Sequence, residues 1–437
     1  MWRADGNEID SAENAILDTP RYWGVPVFNA EPRYLDPNSI DRVDWPQGGI
    51  AMRDVLMQMP VLADRELSDR PDHILERIFK FFDEHPTVPY VFLGSSDSTA
   101  LRTTHGVIWK MLEDGWYAPE KPNASAVFVL ARRERVDVLR PYVFQDIEEP
   151  TDGDWLNRYG IGRRVWLNYL ELEKKVPAPL DPYSRDGKRY TRLPTGKEWL
   201  VDLELFTKRI DVQEASQLSF HLVNALSKKP KLSSHWKPRP WFPVPWNTEQ
   251  LQQFDALPTL GFLHRPVFVK MTDNENNTLN SVEQRKAALW LGWKLALDTL
   301  PESQRAVGPA RVIVATGGRT SQLIDFHGLL RDVAESGGPK FDAGKPNQFI
   351  DVDHRLGDTG AATFFMQAAI GLMGSYREGG ISAAFNLRDP KEASIILVSP
   401  PSEEKRQRQR HIIGGDVLRN ATVPMIDPKN YEEPVYR

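Results

Sequence analysis

No cysteine occurs among the 437 residues, which excludes a disulfide framework, a thiolate zinc centre and a cysteine nucleophile. Long apolar runs are missing too. The longest apolar helix pattern, over residues 287–300, contains Lys294 and Asp298 and falls short of the roughly 20 residues that a bilayer span requires. No segment is therefore expected to cross a membrane. The opening MWRADGNEIDSAENA lacks the basic and apolar regions of a signal peptide. The chain is thus expected to be leaderless and cytoplasmic, or to begin after a removed anchor or export segment. Charge of one sign is also scarce. A formal net charge of -5 over this length gives no sustained attraction to phosphate backbones, so nucleic acid is not an expected partner. The basic clusters at 228–239 and 405–411 read first as solvated loops, with an acidic protein surface as the alternative.

What is present is ordinary for a folded soluble protein: 41% hydrophobic and 26% charged residues, with 10% aromatic. The length favours two cores over one. The sharpest change in composition is KKPKLSSHWKPRPWFPVPW at 228–246, where closely spaced prolines forbid a helix interior and favour an extended path. A free linker would be poor in tryptophan, so this strap is expected to lie against one or both lobes. The expected division is 1–227, the Pro/Trp-rich strap 228–246, and 247–437.

On both sides of the strap the order of elements is similar. A strand over 22–28, an amphipathic helix over 72–82 and a buried strand over 88–93 are matched by 265–271, 282–300 and 311–315. Both last strands end in a small polar turn, GSSDS at 94–98 and TGGRTS at 316–321. Helix and strand patterns follow at 99–114 with 126–131, and at 361–373 with 381–386 and 393–398. The region 149–192 is loop-rich with one helix candidate at 165–173, and 199–206 reads as a strand before a helix at 212–226. Strands alternating with helices imply an α/β fold: two topologically similar lobes, each a sheet flanked by helices, joined by the strap.

The best candidate for catalysis is Ser95 or Ser96 after a buried strand, in the setting of a nucleophile elbow. Ser98, however, stands where the second glycine of an elbow belongs, and His105, His354 and His411 lie in unrelated settings. Helix capping or a strand end is the favoured reading of these hydroxyls. Asp351, Asp353, His354 and Asp358 form the best metal candidate, weighed against a salt-bridged loop, which is preferred. The turn at 316–321 offers backbone amides to an anion, although no complete phosphate or dinucleotide motif is present. No cofactor or metal is expected. For an interaction surface the candidates are Trp116, Tyr117, Trp236, Trp241 and Trp246, rigid apolar area that loses little entropy on binding. The charged tip NLRDPKE at 386–392 adds Arg388, Asp389 and Lys391.

Three long stretches of the second half carry a family likeness: LGFLHRPVFVKM at 260–271, GSYREGGISAAFNLRDPKEASIILVSPP at 374–401 and ATVPMIDPKNYEE at 421–433. With YWGVPVF at 22–28 and YVFLGSSDS at 90–98, the chain resembles the type VI lipase adaptor family over most of its length. The resemblance implies a non-enzymatic adaptor, or chaperone, that binds a cognate phospholipase effector and delivers it to the type VI secretion spike protein. A serine hydrolase-like enzyme of α/β fold using Ser95 or Ser96 stands as the alternative.

Overall fold

The computed structural model describes residues 19–20, 24–33, 60–97, 123–143, 196–207 and 248–410, with positions 168, 171–172, 174–176, 239, 241–242 and 245–246 between them. In chain order the elements are β1 (Val25–Glu31), β2 (Pro60–Leu67), α1 (Ile74–Glu84), β3 (Tyr90–Asp97), β4 (Ala124–Ala131), α2 (Gly196–Thr207) and α3 (Thr248–Ala256). The second half continues with β5 (Phe262–Leu263), β6 (Val267–Lys270), α4 (Val282–Asp298), α5 (Glu302–Arg305), β7 (Pro309–Ala315), α6 (Thr320–Glu335), β8 (Phe349–Asp351) and α7 (Val352–Leu356). It ends with α8 (Thr363–Glu378), β9 (Ile381–Asn386), β10 (Glu392–Ser399) and α9 (Glu403–Arg408).

Two sheets result, and their wiring is the same. In the first, β1 runs parallel to β2 and β3, and β3 pairs antiparallel with β4. In the second, β7 runs parallel to β8 and β9, and β9 pairs antiparallel with β10. β5 and β6 then add antiparallel to the far side of β10. Each third strand is preceded by a helix entered through one short 3-10 turn: Pro71–His73 before α1 and Gly360–Ala362 before α8. The lobes are therefore topologically similar, as expected, but the counterpart of β1 is β7, not the strand at 265–271. The sequence parallel slips because β6 is an extra edge strand that no described strand of the first lobe matches.

Strand periodicity divides the second sheet between two cores. Val312, Val314, Ala383, Phe385, Ile395 and Leu397 face Leu289 and Trp293 of α4 and Phe326 and Leu329 of α6. Their neighbours Ile313, Ala315, Ala384 and Ile396 face the other way and share a core with Phe28, Phe92 and Leu93 of the first sheet. α8 lies in that shared layer through Phe364, Phe365 and Ala368 and touches strands of both sheets. α1 also bridges the lobes. Its Ile74, Ile78 and Phe82 stripe is buried, its Phe81 meets Phe28 edge-on at 5.4 Å, and His73 just before it stacks on Phe268 of β6 at 3.7 Å. A phenylalanine fully buried in such a core stabilises the fold by roughly 1.5–3 kcal/mol.

α4 is capped by Ser281, whose hydroxyl accepts from the Gln284 amide. Gly292 lets it press onto the sheet, since a Cβ there would stand 2.4 Å from Val269 Cγ2 and 2.8 Å from Ile395 Cδ1.

Two sequence readings change. Residues 199–206 belong to α2, not to a strand: the apolar residues alternate, but Leu203 is buried while Val201 and Leu205 are exposed. The surrounding Lys, Glu, Leu and Asp are straight-chain or acidic residues poorly suited to a pleated ladder. The GSSDS segment is not a turn up to Asp97 but the end of β3, paired residue by residue from Gly94↔Val127 to Asp97↔Ala124. The helix candidates at 99–114 and 212–226 lie outside the described residues, as does the loop-rich region 149–192 apart from helical positions 168, 171–172 and 174–175 and the bend at 176.

Candidate functional site

The β9–β10 hairpin tip and the seam beneath it hold the densest cross-lobe chemistry among the described residues. Asp72, 1% exposed at the entry to α1, is the hub. Its Oδ2 accepts from Asn386 Nδ2 at 2.8 Å, from Ser394 Oγ at 2.6 Å and from Arg70 Nη2 at 2.9 Å. Arg70 also donates to the Glu392 carbonyl and the Ser394 hydroxyl and lies 3.6 Å from Asp389. Next to it, His73 Nε2 donates to Glu392 Oε2 at 2.8 Å. The hydrogen bond to Glu392 raises the His73 pKa against the opposing effect of burial, and the same bond lowers that of Glu392.

A matching contact sits on the other side of the molecule's internal symmetry. Asp97, at the end of β3, accepts from the Ala361 amide at 2.6 Å, in the 3-10 turn that opens α8. Thus the last residue of each third strand, Asp97 or Asn386, grips the helix entry of the opposite lobe.

The tip itself is held rigidly. Arg388 Nη2 pairs with Asp358 at 2.9 Å, and its Nη1 donates to the Gly360 carbonyl and, at 3.4 Å, to that of Asp69. Arg319 Nη1 donates to the Arg388 carbonyl at 2.5 Å. Asp389 Oδ1 accepts from the Lys391 amide at 2.8 Å, leaving the Lys391 side chain exposed. Beside the tip opens a cleft of about 280 Å³ with an apolar floor of Met271, Leu279, Leu289 and Leu387. Its polar wall includes the Arg285–Asp325 pair, whose Nε donates to Oδ2 at 2.6 Å and raises the Arg285 pKa. Such a surface can hold a partner's side chain.

Of the sequence candidates, the structure brings Arg388, Asp389 and Lys391 together at the tip and sends the described tryptophans elsewhere. Trp241 meets Phe81 edge-on at 5.3 Å, and Trp246, 1% exposed, packs on Phe254 at 5.2 Å. Both belong to the first core, so the strap lies against the first lobe at these positions and neither ring is surface. Trp116, Tyr117 and Trp236 lie outside the described residues.

The serines proposed for catalysis stand in a strand ladder, not on a turn. Ser95 is buried in mid-ladder with no hydrogen-bond partner among the described residues, and Ser96 sits opposite Ser125. Neither hydroxyl meets an imidazole among the described residues, and His105 and His411 lie outside them. The acids grouped in sequence as a metal candidate are dispersed. Asp351 caps α7 by accepting from the His354 amide, Asp358 pairs with Arg388, and Asp353 Oδ2 accepts from the amides of Thr316 at 2.5 Å and Gly317 at 2.9 Å. Asp353 therefore fills the anion cradle that the turn at 316–321 suggested. No group of three or more potential metal ligands occurs among the described residues.

Sequence reasoning placed Glu392 at the end of the charged tip but missed its partners Arg70, Asp72 and His73, which gain meaning only when segments more than 300 positions apart meet. No helix among the described residues is long and apolar enough to cross a membrane.

Two family models match the chain. The one described as Type VI lipase adapter protein Tla3, N-terminal, matches residues 1–109, and the one described as Type VI lipase adapter protein Tla3, C-terminal, matches residues 260–400. Among solved structures the chain is similar to the Acat5 thiolase from Ascaris suum in complex with coenzyme A, at 13% identity over 86% of this chain and 88% of that one, with a TM-score of 0.33. It is also similar to a glutamate-to-glutamine variant of Xanthomonas campestris OleA, at 9% identity over 86% and 74%, with a TM-score of 0.32. Human mitochondrial 3-ketoacyl-CoA thiolase shows 8% identity over 87% and 88%, with a TM-score of 0.33. Likeness at this level says nothing about the site.

Proposed function

The chain belongs to the type VI lipase adapter family, and from that premise we propose that it is a non-enzymatic adaptor that binds a cognate phospholipase effector and delivers it to the spike protein of the secretion machine. The observation that carries this reading is that both halves of the chain match the two halves of the adapter models. The mechanism is stoichiometric binding. Two lobes joined through Asp72 and Asp97 also share a core, and a preorganised surface loses little freedom on association.

Arg388 and Asp389 shape the tip, Lys391 and the neighbouring cleft meet a protein partner, and Trp241 and Trp246 act only through the first core in which they are packed. Trp116, Tyr117 and Trp236 are assigned to the same partner-binding role. The division into 1–227, a strap at 228–246 and 247–437, and a cytoplasmic site of action, belong to the same proposal. Co-purification with the lipase is the test: a one-to-one complex at micromolar concentration is expected, and no complex at that concentration would overturn the reading.

A further inference from the structure

We infer that the cleft beside the hairpin tip takes the side chain of one tyrosine from a protein partner. The inference rests on the adaptor reading for the source of that tyrosine, and on the cleft alone for its chemistry. A volume of about 280 Å³ falls below the roughly 300–1,000 Å³ of sites for cofactors and drug-sized ligands. One large side chain fits. The walls decide which kind. They carry two arginines, Arg285 and Arg319, and two aspartates, Asp325 and Asp389, so the lining is neutral as a whole. Arg285 and Asp325 satisfy each other. Arg319 donates to the Arg388 carbonyl and forms no ion pair among the described residues, while Asp389, with its side chain 38% exposed, faces Arg70 at 3.6 Å. A charged occupant of either sign would therefore meet its like at the rim. A neutral ring meets no repulsion and offers its face to the Arg319 guanidinium.

A plain hydrocarbon would leave one group unmet. Gln322 lines the same cleft, and its Oε1 is shut from water with no donor among the described residues. Such an atom costs stability until a partner supplies the missing bond. Because a flip of the amide exchanges its oxygen and nitrogen, the occupant that suits Gln322 in either sense is one that both donates and accepts. A phenol does both, and an indole only donates. Beneath them Met271 and Leu289 give the ring an apolar bed, and a thioether against an aromatic ring is itself favourable.

The test reads the cleft without any lipase. In protein isotope-labelled at its methionine methyl groups, the Met271 signal, assigned by its loss in M271L, should shift when N-acetyltyrosinamide is added at millimolar concentration, because the ring current falls on that methyl. N-acetylphenylalaninamide should bind roughly two- to tenfold more weakly, the worth of one net hydrogen bond, and N-acetylleucinamide more weakly still. Q322L should erase the preference for tyrosine over phenylalanine. S321W, at an exposed lining position, should fill the cleft and abolish the shift with an unchanged melting temperature; if it does not fold, Q322L carries the decision alone. No Met271 shift, equal affinity for the tyrosine and phenylalanine probes, or a preference that survives Q322L would each overturn the inference. None of these touches the adaptor reading, which is judged by co-purification with the lipase.

Discussion

Asn386 Nδ2 donates to Asp72 Oδ2 at 2.8 Å across 314 positions of sequence, tying the end of β9 to the helix entry of the opposite lobe. The same carboxylate receives Arg70 and Ser394. Removing it would strand three donors, one of them charged, in a seam that water does not reach.

D72A is therefore expected to cost about 3–5 kcal/mol, the range for breaking a buried charged pair. N386A, which removes one neutral donor from a charged acceptor, should cost about 1.5–3 kcal/mol. Urea unfolding followed by circular dichroism checks both, and equal, small losses would show that the seam contributes little.

Two histidines contribute to the pH dependence with opposite signs. His264 is buried between the Thr299 carbonyl and Ser399, and burial lowers its pKa from 6.5 to about 4. A depressed folded value means that stability is full above the unfolded value and is lost as pH falls from 6.5 through 4. The loss amounts to about 3 kcal/mol from the size of that shift. H264Q should flatten this acid limb in melts recorded across that window.

His73 behaves in the reverse sense. Its raised pKa means that its contribution is full below 6.5 and is lost as pH rises through the folded value. The side chain is 40% exposed, so solvent screening holds the effect below about 1 kcal/mol. H73Q should remove a shallow alkaline slope in the melting temperature and, because the same bond lowers the Glu392 pKa, a shallow acid one as well, while the larger limb set by His264 remains.

G292A should destabilise by about 1–3 kcal/mol, because the added methyl meets Val269 and Ile395 in a packed layer with no room to yield. G328A is the control. There a Cβ meets only the flexible Lys286 chain at 3.2 Å, and the melting temperature should hold or rise.

At the hairpin tip, K391E should leave stability within about 0.5 kcal/mol, as exposed substitutions do, and weaken capture of the lipase. R388E, by contrast, should lower stability because it breaks the Asp358 pair and the bond to the Gly360 carbonyl. Melting curves and pull-down of the lipase, read side by side, separate the two roles. A K391E protein that captures the lipase fully would remove Lys391 from the interface.

The second half is the more legible in sequence. α4, β7, α8, β9 and β10 announce themselves by apolar period and by breaks such as Gly379 and Gly380, both in the left-handed region. α2 reads as a strand because Val201, Leu203 and Leu205 imitate one, and only packing on β2 decides which of them is buried. Ser95 and Asp97 look like loop chemistry because polar residues at a strand end normally face water. Here Asp97 is buried by the distant Ala361 amide. The seam of Arg70, Asp72, His73 and Glu392 leaves no local trace, for each is an ordinary charge beside a turn until the lobes meet.

The shared core also bears on how the chain is made. During synthesis the first sheet emerges well before Phe364, Phe365 and Ile396, the residues that cover its inward face, and Asp97 must wait 264 positions for its partner. A nascent chain stopped at the strap would therefore carry a sheet lacking part of its covering layer, an invitation to chaperones or to aggregation. Long-range closure of this kind also slows folding. Completion of α8, late in translation, is the event that seals the molecule.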